Sequence, residues 1–175
     1  MNNEGAQAIL AALALIAILL IVSIPFLLFI GYTVFQKWKR DQTRVAILRD
    51  HQQLVGNNPW FPVRYASERR FKSLFKIFPW ECAGILVTLP GSALFLGPTS
   101  SGSSLRLQFA PGNSTLNWQG KAPFPNGAIS WFYFATPIEK HYLSSETGFL
   151  ILGSNKSTRT IYEEVGKSFL AHSAP

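Results

Sequence analysis

Three histidines, one cysteine and nine carboxylates are the groups with which this chain could do acid, base or nucleophilic chemistry. Catalysis requires such groups to converge, and His51, His141 and His172 fall in three different predicted elements with no carboxylate at a pairing interval. Glu163-Glu164 sits in the first turn of a predicted helix, where carboxylates suit the helix dipole. Cys82, beside Glu81, has no base at a readable spacing and reads as a structural thiol, not a nucleophile. No Cys-x-x-Cys or His-x3-His pair offers a metal site. Gly91, Gly97 and Gly102 read as turn glycines, and no Gly-x4-Gly-Lys-Ser/Thr loop occurs. Neither an enzyme nor a cofactor is expected.

Surface charge is the chemistry that remains, and it is concentrated. From Lys37 to Lys76 ten Lys or Arg stand against Asp41, Asp50 and Glu68, whereas from Ile77 onward six stand against five. The formal +7 of the chain is therefore a property of the forty residues after an apolar run, which points to anionic lipid. A nucleic-acid binder would carry its basic patch on the domain, interleaved with stacking aromatics, and no such pattern is present. Lys37, Lys39, Arg40, Arg69, Arg70, Lys72 and Lys76 are the candidate lipid-surface contacts.

That apolar run positions them. Gly5 to Gln36 carries no charged side chain, and Lys37-Trp38-Lys39-Arg40 ends it. A hydrocarbon core about 30 Å thick needs about 20 apolar helical residues, so residues 8–36 form one transmembrane helix behind a short tail, 1–7. Pro25 would divide the run into pieces too short to span twice, and it predicts a kink or tilt. A cleaved signal peptide would want a basic n-region, and Met1 to Gln7 holds only Glu4 and the terminal amine. Lys37, Lys39, Arg40, Arg44 and Arg49 follow the span and none precedes it, which predicts the N-terminus outside and a cytoplasmic C-terminal domain. The lone Cys82 fits a reducing compartment. Asn113-Ser114-Thr115 and Asn155-Lys156-Ser157 match the glycosylation pattern but read as turn residues.

A basic, helical juxtamembrane region follows over residues 37–79. Asp41 to Val55 reads as a helix with Val45, Leu48 and Val55 on a sparse apolar face, good for one shallow contact, and Gly56 ends it. Pro59-Trp60-Phe61-Pro62 is extended and packs on the domain or dips into headgroups. Ser67 should cap a second helix reaching Phe78, with Phe71, Leu74, Phe75 and Phe78 on one face and Arg69, Lys72 and Lys76 on the other. Such a helix either lies on lipid or covers the domain with its Phe face.

Beyond Pro79 short runs alternate with turn residues. Strands are expected at residues 84–89, 93–97, 105–109, 114–118, 128–136, 140–144 and 149–153. A final helix is capped by Ser157 or Thr158, with Ile161, Val165 and Phe169 as its stripe. Seven antiparallel strands followed by one amphipathic helix resemble the pleckstrin-homology-like superfold, which includes PH and GRAM domains, over residues 80–173. The resemblance rests on element order and implies a mainly-β, seven-stranded antiparallel barrel capped by the C-terminal α-helix. A generic small barrel or sandwich with an appended helix is the rival. Phosphoinositide-binding members of the superfold grip the headgroup with basic side chains on the first hairpin. Gly84 to Gly97, the first hairpin on this reading, holds no Lys or Arg, so selective headgroup recognition is not expected.

The strand Ser130-Trp131-Phe132-Tyr133-Phe134 has aromatics on both faces. One face enters the barrel. The other lies under the residue 67–78 helix or, if that helix lies on lipid, offers Trp131 and Tyr133 to a protein partner. Two functions follow as expectations. One is a single-pass membrane-anchored interaction module that recruits a cytoplasmic protein or contacts an anionic bilayer. The other is a small accessory or assembly subunit of a membrane complex.

Overall fold

The computed structural model describes residues 3–74, 78–98, 103–121, 129–146 and 154–170. The chain divides into two compact units, Met1–Lys39 and Arg40–Pro175. Helix α1, Asn3–Asp50, supplies the whole described part of the first unit and has Pro25 inside it. It is the one helix among the described residues long and apolar enough to cross a membrane. Side chains such as Leu19, Val22 and Phe26 stand exposed along it.

The second unit contains α2, Gln52–Gly56, and β1, Trp60–Ser67, followed by α3, Glu68–Lys72. Strands β2, Cys82–Leu89, β3, Ser92–Pro98, and β4, Ser104–Phe109, come next, then β5, Thr115–Lys121, β6, Ser130–Ala135, and β7, Lys140–Ser145. Helix α4, Ser154–Leu170, is the last element. The strands form one antiparallel sheet in the order β4-β3-β2-β1-β7-β6-β5. Six of the seven expected strands correspond to β2 through β7. The seventh, at residues 149–153, lies outside the described residues. The strand that completes the set is β1, in the centre of the sheet.

Pro62 is tolerated at that central position because β1 pairs with β2 from Trp60 but with β7 only from Val63. Pro62 O accepts the Glu146 N–H at 3.0 Å, so the nitrogen of Pro62, which has no hydrogen, faces the same side beyond the ladder.

The expected barrel is not closed. Strands β4 and β5 remain edges among the described residues, and α4 covers the apolar face instead, touching β2, β3, β5, β6 and β7. Ile161, Val165 and Phe169, the predicted stripe, are buried there with Val63, Tyr65, Leu86, Phe95, Phe132, Phe134 and Leu143. Thr158 is not a cap. It lies inside α4, and its hydroxyl accepts the Ser145 N–H at 3.0 Å, fixing the helix to the end of β7.

The opposite face is covered as well, by two separate clusters. Ile47, Leu48, Leu54 and Val55 of α1 and α2 pack over Ile85, Val87, Leu94 and Leu96 of β2 and β3. At about 1.5–3 kcal/mol for each fully buried aliphatic side chain, this is a second core, larger than the shallow contact that the sparse helix face suggested. Phe71, Phe78 and Trp80 cover Ala66, Trp131 and Tyr142 farther along the sheet. Burial on both faces explains why Cys82–Leu89 and Ser130–Ala135 read as continuous apolar runs.

Candidate functional site

The segment between β1 and β2 bears on the lipid expectation. Ser67 caps α3 as predicted, accepting the Arg70 N–H at 3.2 Å. The helix nevertheless lasts one turn, because Ser73 is already extended at φ −65° and ψ 131°. The expected run to Phe78 is therefore not formed, and Phe75 and Lys76 lie outside the described residues. Phe71 stacks on Tyr142 with ring centroids 3.7 Å apart and meets Trp131 edge-on at 5.7 Å. The aromatic side of this segment thus packs on the domain.

Packing of Phe71 fixes where its neighbours go. Arg69 is exposed. Lys72 is exposed and ion-paired with Glu68 at 2.6 Å. The hydrogen bond from Lys72, then the one from the Lys140 N–H, holds the Glu68 carboxyl below its ordinary range. Arg70 is half-buried and donates through Nη2 to the Phe78 carbonyl at 2.8 Å. Lys37 and Lys39 are exposed on α1. Arg69, Arg70 and Lys72 lie in the connection of the sheet's first hairpin, β1–β2, whereas residues 84–97, the first hairpin on the sequence reading, belong to β2 and β3.

Arg40 has a different environment. Its Nε donates to Glu146 Oε1, and Arg44 Nη2 donates to Glu146 Oε2. The Glu146 side chain is 5% exposed. Arg64, on β1 and 1% exposed, lays its guanidinium over the Trp80 ring at 4.3 Å. Arg40 approaches the same ring at 6.0 Å. Burial lowers the Arg64 pKa to about 10; Glu146 opposes the shift, while Arg40 and Arg44 add to it. Arg40, a lipid-surface candidate on the sequence reading, is therefore largely engaged within the domain. Nothing local in the sequence reveals this cluster, since Arg40 and Glu146 are 106 residues apart.

The aromatic partner candidates separate. Trp131 is fully buried beneath Phe71 and Trp80 and offers no surface. Tyr133 is half-buried, with Lys140 Nζ 5.1 Å from its ring centre. Phe132 and Phe134 belong to the core under α4.

Among titratable groups, burial raises the Cys82 thiol to about 12, with Glu81 adding to the shift. Such a thiol is protonated at neutral pH and a poor nucleophile. His141 Nδ1 lies 3.1 Å from the Tyr65 hydroxyl, and its Nε2 lies 3.6 Å from Glu139. The two other histidines are not brought to this point: His51 bonds the Ile47 carbonyl, and His172 lies outside the described residues.

No protein-family model matches the chain, and neither the curated proteins nor the solved structures give a match.

Proposed function

We propose that this chain is a non-enzymatic, single-pass membrane-anchored interaction module of the PH-like kind, whose β1–β2 connection contacts the anionic surface of the cytoplasmic leaflet. The observation that carries the reading is the division within α3. Phe71 is buried against Tyr142 and Trp131, while Arg69 and Lys72 stay in solvent. A basic surface is thus held on a packed support and needs no free amphipathic helix. Arg40, the first residue of the second unit, follows the apolar run by only four residues, so the domain is tethered to the span by a short length of chain. The PH-like assignment draws on the strand order and on a C-terminal helix that covers one face.

Attraction to an anionic leaflet is about 1 kcal/mol per basic residue near the surface and is weakened by salt. The test uses the full chain in proteoliposomes of neutral phosphatidylcholine or of phosphatidylcholine with phosphatidylserine. Amide hydrogen exchange over residues 68–74 should slow in the anionic membranes and recover with added salt. Replacing Arg69 and Lys72 with Gln should abolish the difference without lowering the melting temperature. Equal exchange in both lipids at low salt would reject the lipid role. Stoichiometric co-purification of other chains after gentle detergent extraction would move the reading to an accessory subunit of a membrane complex.

A further inference from the structure

Ile138 is 94% exposed. It stands in the β6–β7 turn, Thr136-Pro137-Ile138-Glu139, where polar residues and glycine are the usual occupants. The turn is firmly closed: the Thr136 N–H and hydroxyl both donate to the Glu139 carbonyl, at 3.0 and 2.9 Å. Pro137 fixes a further backbone angle. An aliphatic side chain is thus displayed on a preformed tip.

The tip adjoins the basic segment. Ser67, the last residue of β1, pairs with His141 near the start of β7, so α3 and the β6–β7 turn leave neighbouring strands at the same end. The Lys140 N–H donates to Glu68 of α3 at 3.1 Å, joining the two. Leu74, two residues beyond α3, is 58% exposed.

We infer that the β6–β7 turn is a membrane-insertion tip, with Ile138 entering the interfacial layer of an anionic bilayer while Arg69, Lys72 and Lys140 lie among the headgroup phosphates. The inference rests on the lipid-facing reading above and adds the apolar contact. Glu68 and Glu139 offset part of the positive charge, so charge alone gives a weak hold and the apolar side chain has to contribute. An exposed aliphatic tip at the same end of the sheet as Arg69, Lys72 and Lys140 fits a bilayer interface. A protein interface would want a packed aromatic centre, and Trp131 is buried. A module anchored beside the bilayer meets it at an effective concentration on the order of millimolar, so a contact too weak for a free domain is populated.

The full chain carrying Ile138→Cys, labelled with an environment-sensitive fluorophore, tests this in the same proteoliposomes. Cys82 is buried, so labelling is selective. Emission should shift to the blue and be quenched by lipids brominated in their acyl chains, with the larger effect in anionic membranes. A probe at Pro90→Cys, in the β2–β3 turn at the other end of β2, should report water throughout. If the 138 probe matches the Pro90 probe while exchange over 68–74 still slows, insertion fails and the surface contact stands. If neither responds, both fail. Shielding of the 138 probe in native membranes but not in pure lipid would assign the tip to a protein and overturn the inference.

Discussion

Two guanidinium groups close on Glu146, with a third, Arg64, buried nearby. Removing one partner of a buried ion pair costs about 3–5 kcal/mol because the remaining charge is left uncompensated. Glu146→Gln should therefore lower the melting temperature of the detergent-solubilised chain by several degrees, more than Lys39→Gln on exposed α1. An unchanged melting temperature would show that the arginines find equivalent partners elsewhere. His141 makes a second, pH-dependent prediction. Burial lowers its pKa from the ordinary 6.5, with Glu139 opposing. The folded state thus binds the proton less readily than the unfolded chain, so this contribution is fully present above about 6.5 and is lost as pH falls toward the folded pKa. Comparing melting temperatures at pH 7.5 and 5.5, the drop should be larger for the natural chain than for His141→Gln. Parallel drops would remove His141 as the cause.

Helix α4 was legible because its stripe repeats at helical spacing, and Phe169 is 3% exposed in the core it covers. Phe169→Ala should destabilise the domain by about 3–5 kcal/mol, read from denaturant unfolding. No change would mean that α4 contributes nothing to the core. Strands β2 to β7 were legible for the same reason, apolar runs bounded by turn residues. The central strand was not, although Trp60, Phe61, Val63 and Tyr65 are good strand formers. Pro59, Pro62 and Arg64 interrupt the apolar pattern, and the reasons they are tolerated, the late start of pairing with β7 and the stacking on Trp80, are tertiary. The residue 67–78 helix was overextended because Phe71, Leu74, Phe75 and Phe78 mimic one face, whereas only Phe71 meets the sheet from within a helix. Close approach of strands is likewise invisible in sequence. A Cβ on Gly84 would lie 2.1 Å from the Leu96 carbonyl oxygen. Gly84→Ala should accordingly destabilise the β2–β3 pair and lower the melting temperature, whereas Gly112→Ala, with open space around it, should be much milder.

At the scale of the molecule, orientation decides whether the basic surface and the Ile138 tip meet a leaflet rich in anionic lipid. Five Lys or Arg follow the apolar run within thirteen residues of Gln36, and on the proposed reading this bias keeps the following segment in the cytoplasm. Single cysteines at Asn3 and Ser173 test this against the buried Cys82 background. On intact cells an impermeant thiol reagent should label the first and spare the second until the membrane is opened. A second readout is independent of labelling. Asn113 of the Asn113-Ser114-Thr115 triplet is exposed in the turn before β5, with its side-chain oxygen accepting the Ala110 N–H at 2.9 Å. In a glycosylating eukaryotic cell the triplet would meet the modifying enzymes only if the domain lay outside. The domain should leave such a cell without glycan mass. Labelling at 173 on sealed cells, or a glycan on Asn113, would reverse the orientation and place the β1–β2 cations against a leaflet with little anionic lipid to hold them.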